Sequence, residues 1–170
     1  MARGIVYGCL RKETAQTVYS AERRNMQILV DADACPVNEI IVRIARQKNI
    51  PVTLFTDTSR SLCDGYSTVV TVGKAKDAVD ISLINAAKKG DIVVTQDYGV
   101  AAMALGKGVN ALNQNGLKYS RENMDRLLFE RHISQKVRRG GGRLKGPPKR
   151  TREDDERFTT ALLDILKVIE

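Results

Sequence analysis

The sequence predicts an α/β protein: a three-layer α/β/α, Rossmann-like domain with a mostly parallel sheet and a C-terminal helical extension. Three observations predict it. From Met26 onward, short β-branched runs alternate with segments whose apolar residues recur at helical spacing. Runs such as Asp91-Ile92-Val93-Val94-Thr95 are apolar without alternation, as expected of strands covered on both faces. A length of 170 residues suits one domain with a sizeable core.

The elements follow in order. Residues 27–30 read as the first strand. Residues 38–48 read as a helix, with Ile40, Ile41, Ile44 and Ala45 at helical spacing, broken by Asn49-Ile50-Pro51. Residues 52–56 and 68–72 are the second and third strands. Residues 76–89 are a helix closed by Gly90, and 91–95 the fourth strand. Residues 100–105 form a short helix and 109–112 a fifth strand. Residues 120–136 are a helix that Ser120 caps, with Met124, Leu127 and Leu128 on one side. Residues 136–152 hold glycine, proline and positive charge with no acid, and read as a basic loop. In the last helix Thr151 and Asp154 fit a capping box, and Phe158, Leu162, Ile165 and Leu166 make an apolar stripe that should pack back onto the domain.

Residues 1–25 stand apart. They read as a loose N-terminal extension, or as upstream sequence from an early start codon, ahead of one domain over 26–170. Their apolar stretch at 5–10 is too short for a secretory signal. No apolar run approaches the ~20 residues that span a bilayer, so no membrane partner is expected. The three cysteines, Cys9, Cys35 and Cys63, are odd in number and scattered, which favours a reducing, cytoplasmic setting. The single histidine, His132, cannot build a histidine-rich zinc site. A net charge of +8 with a pI near 9.6 draws the chain to polyanions, nucleic acid being the usual one.

Ligands of a parallel α/β sheet bind outside the carboxyl ends of the strands. The first strand ends in Asp31, with Asp33 two residues on. The second ends in Thr56-Asp57-Thr58, followed by Ser59. The fourth ends in Thr95-Gln96-Asp97. Asp77 and Asp80 are three apart, so on a helix they share a side. Asp80 also lines up with Ile84 and Ala87, on a stripe otherwise apolar. A carboxylate there needs a partner or a cleft.

Each acid has an ordinary alternative. Asp77, Asp80 and Asp97 could cap helices. Asp31 and Asp33 could form a turn before Pro36. Cys35 reads as a small packed residue, with no histidine beside it to make it a nucleophile. Together, however, the acids converge on one rim. Clustered carboxylates repel and call for a cation, and Mg²⁺ or Mn²⁺ suits oxygen ligands. Such a metal activates water and stabilises the leaving oxygen of a phosphodiester. With a basic loop to hold the backbone, the joint reading is a metal-dependent nuclease.

The stretches "VDADACPV", "DAVD", "GDIVVTQDYGVAAMAL", "ALNQNG" and "GGGRLKGPP", in this order, resemble the bacterial YaiI/YqxD family from about Met26 to the last helix. That family is grouped with the PIN-like (NYN/FEN-like) nucleases. The resemblance implies a Rossmann-like α/β/α domain with a carboxylate-bound Mg²⁺ or Mn²⁺. The superfamily's first-strand aspartate falls on Asp31, its helix acid on Asp80 with Asp77 adjacent, and its acid after the fourth strand on Asp97. Asp33 belongs to the family's own motif. The superfamily often has a further acid downstream, and "YGVAAMALGKGVNALNQNG" contains none.

On this reading Asp31, Asp33, Asp80 and Asp97 carry the chemistry, and Asp31, Asp80, Asp97 and Asp77 hold the metal. Arg138, Arg139, Arg143 and Lys145 grip phosphates, and Ser59 and Thr95 orient water or phosphate. RNA is favoured over DNA as partner, and homo-oligomerisation is open. Two rivals stand. An aliphatic strand ending in DxD also begins a haloacid-dehalogenase-like phosphatase, with Asp31 as nucleophile and Asp33 as general acid/base. Against it, Ala34-Cys35-Pro36 replaces the usual small turn and no cap domain is evident. The chain could also bind RNA through residues 136–152 and cleave nothing.

Overall fold

The computed structural model describes residues 6–7, 26–33, 35–57, 62, 64–73, 75, 77–141, 146 and 148–169. Their elements are β1 (Val6–Tyr7), β2 (Ile28–Asp31), α1 (Asn38–Lys48), β3 (Val52–Asp57), β4 (Thr68–Val72), α2 (Ala78–Ala86), β5 (Ile92–Val94), α3 (Tyr98–Gly106), β6 (Asn110–Leu112), α4 (Arg121–Arg139) and α5 (Arg152–Ile169). The sheet order is β1-β4-β3-β2-β5-β6. Every pairing from β4 to β6 is parallel. At the edge, β1 runs antiparallel to β4, with Val6 opposite Val70. Two residues of the stretch read as a loose extension therefore add an edge strand.

The strands alternate their side chains between two apolar layers. Ile28, Val30, Val52, Leu54, Ile92 and Val94 pack against Ile41 and Ile44 of α1 and Phe158, Leu162, Ile165 and Leu166 of α5. Leu29, Phe55, Val93 and Ala111 face the opposite way, onto Leu83 and Ile84 of α2, Val100, Ala101 and Ala104 of α3, and Met124 and Leu127 of α4. Helices on both faces of a parallel sheet complete the three-layer α/β/α fold. The aliphatic runs need no polar alternation because both faces are covered. No described helix is long and apolar enough to cross a membrane.

Several boundaries differ from the sequence reading, each for a local reason. Helix α2 runs over Ala78–Ala86 rather than 76–89. The Asp91 carboxylate accepts the Lys88 and Gln27 backbone N–H groups at 2.9 and 3.1 Å, turning the chain into β5 early. The Lys107 ammonium then donates to the Ile84 and Ala87 carbonyls at the C-terminal end of α2. Helix α3 starts at Tyr98 rather than 100, because the Asp97 side chain caps it there. Helix α4 continues to Arg139, four residues into the stretch read as a basic loop (136–152). Gly140 is the first residue in that run with poor helix propensity. Ser120 caps α4 as expected, in a reciprocal capping box with Asn123. Asp154 accepts the Thr151 N–H at 2.8 Å, as expected at the start of α5.

The strand order fixes where a site can lie. From β2 the chain winds outward through β3 to β4, then crosses back to place β5 on the other side of β2. The crevice between the ends of β2 and β5 is the topological switch point, where open α/β sheets bind ligands.

Candidate functional site

Asp31 is the last residue of β2, and Thr95 directly follows β5. The two strands are paired, so these residues meet at the switch point. The Thr95 hydroxyl donates to Asp31 Oδ2 at 3.1 Å and accepts the Asp97 N–H at 3.1 Å. Thr95 is itself held by its N–H to the Leu112 carbonyl. Its own carbonyl accepts from the Tyr119 hydroxyl. One buried side chain thus ties the first-strand acid to the acid after β5.

Burial raises the Asp31 carboxyl from an ordinary 3.8 to about 6, against the opposing Thr95 hydrogen bond and with added repulsion from Asp80 and Asp33. Asp80, in the first turn of α2, is also raised, by burial and then by the negative charges of Asp97 and Asp77. Among the described residues, no cation is a cause of either shift. A cleft of about 380 Å³ lies between them, lined by Asp31, Asp33, Asp57, Asp77 and Asp80 with small residues of the β4–α2 connection. None of its described lining residues is basic.

The acids play different parts. Asp33 accepts the Thr56 hydroxyl at 2.7 Å with Oδ1 and the Asp57 N–H at 2.9 Å with Oδ2. Both its oxygens therefore staple the turn after β2 to the end of β3. Asp77 stands at the N-cap of α2 with φ 60°, but its side chain makes no capping hydrogen bond and is exposed. It lines the cleft instead. Asp97 caps α3 with Oδ1, accepting from Gly99 and Val100 at 2.6 and 3.2 Å. Its Oδ2 faces the Arg131 guanidinium at 3.7 Å. Asp97 is not among the described residues that line the cleft, and it acts on the site through the repulsion of its charge on Asp80.

The other residues singled out from the sequence are placed as follows. Thr95 is committed to the Asp31 carboxylate and the Asp97 backbone N–H, so it positions Asp31. Arg138 and Arg139 are exposed in the last turn of α4 and do not line the cleft. Ser59, Arg143 and Lys145 lie outside the described residues. His132 is exposed on α4. Cys35 is packed against the core, and burial pushes its thiol up to about 11, which makes it inert. The sequence reading missed Arg131 and underrated Asp57. Asp57 was visible at a strand end. Arg131 carried no signal beyond its charge, because its partners come from a different helix.

Among the described residues, no three acid, histidine or cysteine side chains are gathered as a ready metal-binding group. The donor chemistry nevertheless fits a hard cation: every candidate ligand is oxygen, and Asp31 and Asp80 are partly desolvated and repelled by neighbouring acids. Mg²⁺ usually keeps several waters and takes only one or two carboxylates. Asp31 and Asp80 would hold it, with Asp97 and Asp77 within electrostatic reach.

The fold and cleft define a class: a doubly wound α/β/α domain with an acidic crevice at its switch point. A family model described as "Uncharacterized BCR, YaiI/YqxD family" matches residues 29–168. The chain belongs to this family. It is 64% identical over 142 residues to a UPF0178 protein of Ruminiclostridium cellulolyticum, covering 84% of this chain and 93% of that one. A UPF0178 protein of Clostridium acetobutylicum is 56% identical over 138 residues, with 80% and 93% covered. One of Clostridium kluyveri is 52% identical over 141 residues, with 83% and 93% covered. No solved structure matches the chain.

Proposed function

We propose that the chain is a metal-dependent nuclease of the PIN-like kind, acting on phosphodiesters with RNA favoured over DNA. The observation that carries this reading is Asp31: a carboxylate pushed to about 6, at the switch point, facing Asp80 across an acidic cleft. A titratable group so perturbed by burial and by specific charges in a cleft is a candidate for a functional site. Bound Mg²⁺ or Mn²⁺ would supply Lewis-acid charge to the phosphoryl oxygens and lower the pKa of a coordinated water. The Thr95 hydroxyl holds one oxygen of the Asp31 carboxylate in place. Asp33 stiffens the turn beneath it. The net charge of +8 draws the polyanion towards a cleft that would otherwise repel it. The scattered cysteines accord with a reducing, cytoplasmic setting.

The phosphatase reading asks Asp33 to exchange protons with substrate. Both of its oxygens accept hydrogen bonds from β3, which argues against that role. Binding without cleavage draws support from the openness of the acidic group, where no three ligands close around one point among the described residues.

The test is cleavage of labelled single-stranded and structured RNA and DNA in Mg²⁺, Mn²⁺ or EDTA. Wild type is run beside Asp31→Asn and Asp80→Asn, with p-nitrophenyl phosphate as control. Metal-dependent cutting that both substitutions abolish is the expected result. Turnover of the small phosphate alone would replace the nuclease with the phosphatase, and binding without cutting in either metal would leave only the nucleic-acid interaction.

A further inference from the structure

We propose that the inner side of α4, Arg131 with Arg138 two turns on, is the track on which a single nucleic-acid strand lies beside the acidic cleft, and that Tyr98 stacks one of its bases. The inference deepens the nucleic-acid reading above and rests on it.

Helix α4 buries Met124 and Leu127 against the domain. Arg131 is seven residues after Met124 and four after Leu127, so it continues the same side of the helix. Ser134 follows half-buried, and Arg138 repeats the position of Arg131 seven residues later. Past Leu127, therefore, the positions that continue the buried side of the helix change from apolar to cationic. Arg131 and Arg138 are separated by about 10 Å along the helix, a distance that a few nucleotides of a flexible strand can span. From Arg131 to Arg152 the sequence contains no acid.

The inner end of the track touches the site. The Arg131 guanidinium sits 3.7 Å from Asp97 Oδ2, beyond hydrogen-bonding distance, with the side chains 44% and 40% exposed. So loose and wet a pair contributes little stability, and it leaves most of the five guanidinium N–H donors free for a phosphate. The same guanidinium lies 5.6 Å from the centre of the half-buried Tyr98 ring. That ring is braced edge-on by Tyr119 at 6.0 Å and 85°. A fixed aromatic ring with an arginine over it is a stack that an unpaired base extends, and a paired base cannot reach. The strand proposed for this track is accordingly a single one.

The test measures fluorescence anisotropy of a short labelled single-stranded RNA, and of the same sequence as a duplex, in EDTA and over a range of salt. The variants are Arg131→Gln, Arg138→Gln and Tyr98→Leu. The control is Arg126→Gln, which removes the same charge about 140° round the helix from Arg131. Thermal melts confirm that each variant folds. Arg131→Gln and Arg138→Gln should each weaken single-strand binding about 3- to 10-fold and reduce the salt slope by about 0.7. Arg126→Gln should do neither. Tyr98→Leu should cost about 5-fold or more for the single strand and nothing for the duplex. Equal losses for all three arginines, an unchanged Tyr98→Leu, or no binding by wild type would overturn the track. Track binding without metal-dependent cleavage would sustain this inference and remove the nuclease. Cleavage indifferent to Arg131 and Arg138 would do the reverse.

Discussion

Replacing Asp31 with asparagine should stabilise the metal-free protein at neutral and alkaline pH. The folded-state pKa of Asp31 is raised from 3.8 to about 6, so the folded state holds this proton more tightly than the unfolded chain does. The stability contribution of the group is fully present below pH 3.8 and is lost as pH rises through about 6. A shift of about two units corresponds to about 3 kcal/mol at most, and about 1–2 kcal/mol after allowing for solvent at this partly exposed group. The substituted amide would keep an acceptor for the Thr95 hydroxyl while carrying no charge. For a domain of this size, about 1–2 kcal/mol raises Tm by about 2–8 °C. The assay is thermal unfolding in EDTA at pH 8 and pH 5, wild type against Asp31→Asn. The gain should be present at pH 8 and shrink at pH 5. A variant less stable than wild type at pH 8, or a gain equal at both pH values, would refute the reasoning.

Other consequences follow from the same geometry. Thr95→Val leaves Asp31 and the Asp97 N–H without their shared partner and should destabilise the fold by about 1–3 kcal/mol, read by urea unfolding. The same change should move the Asp31 titration upward, since the hydrogen bond that opposes its rise is gone; NMR of the carboxyl carbon reads it. Phe158→Ala should cost about 3–5 kcal/mol, because the ring is fully buried between α5 and the sheet. Ser120→Ala, which breaks the capping box of α4, should cost about 1 kcal/mol by the same measurement.

The fold was largely legible because both layers write themselves into the chain as continuous aliphatic strands and helical stripes. Helix α1 and strand β4 fall where the pattern places them, and Phe158, Leu162, Ile165 and Leu166 are buried as their spacing demands. Helix ends were less legible where a distant residue sets them. Asp91 shortens α2 from across a turn, and Lys107 closes it from just past the end of α3. In the site, Asp31 and Asp80 could be placed from strand ends and helical phase. The stapling of Asp33 to Thr56 could not, since it depends on two strands lying side by side. Nor could the approach of Arg131 to Asp97, which needs α4 to cross α3 at that point.

The central claim is that the cleft between Asp31 and Asp80 binds a divalent cation. An electron paramagnetic resonance titration of free Mn²⁺ at pH 7.5 tests it without requiring turnover. Loss of free signal in the presence of wild-type protein, abolished by Asp31→Asn and by Asp80→Asn while both variants remain folded, is the predicted result. Wild-type protein that leaves the Mn²⁺ free, or variants that bind it as well as wild type, would contradict the account.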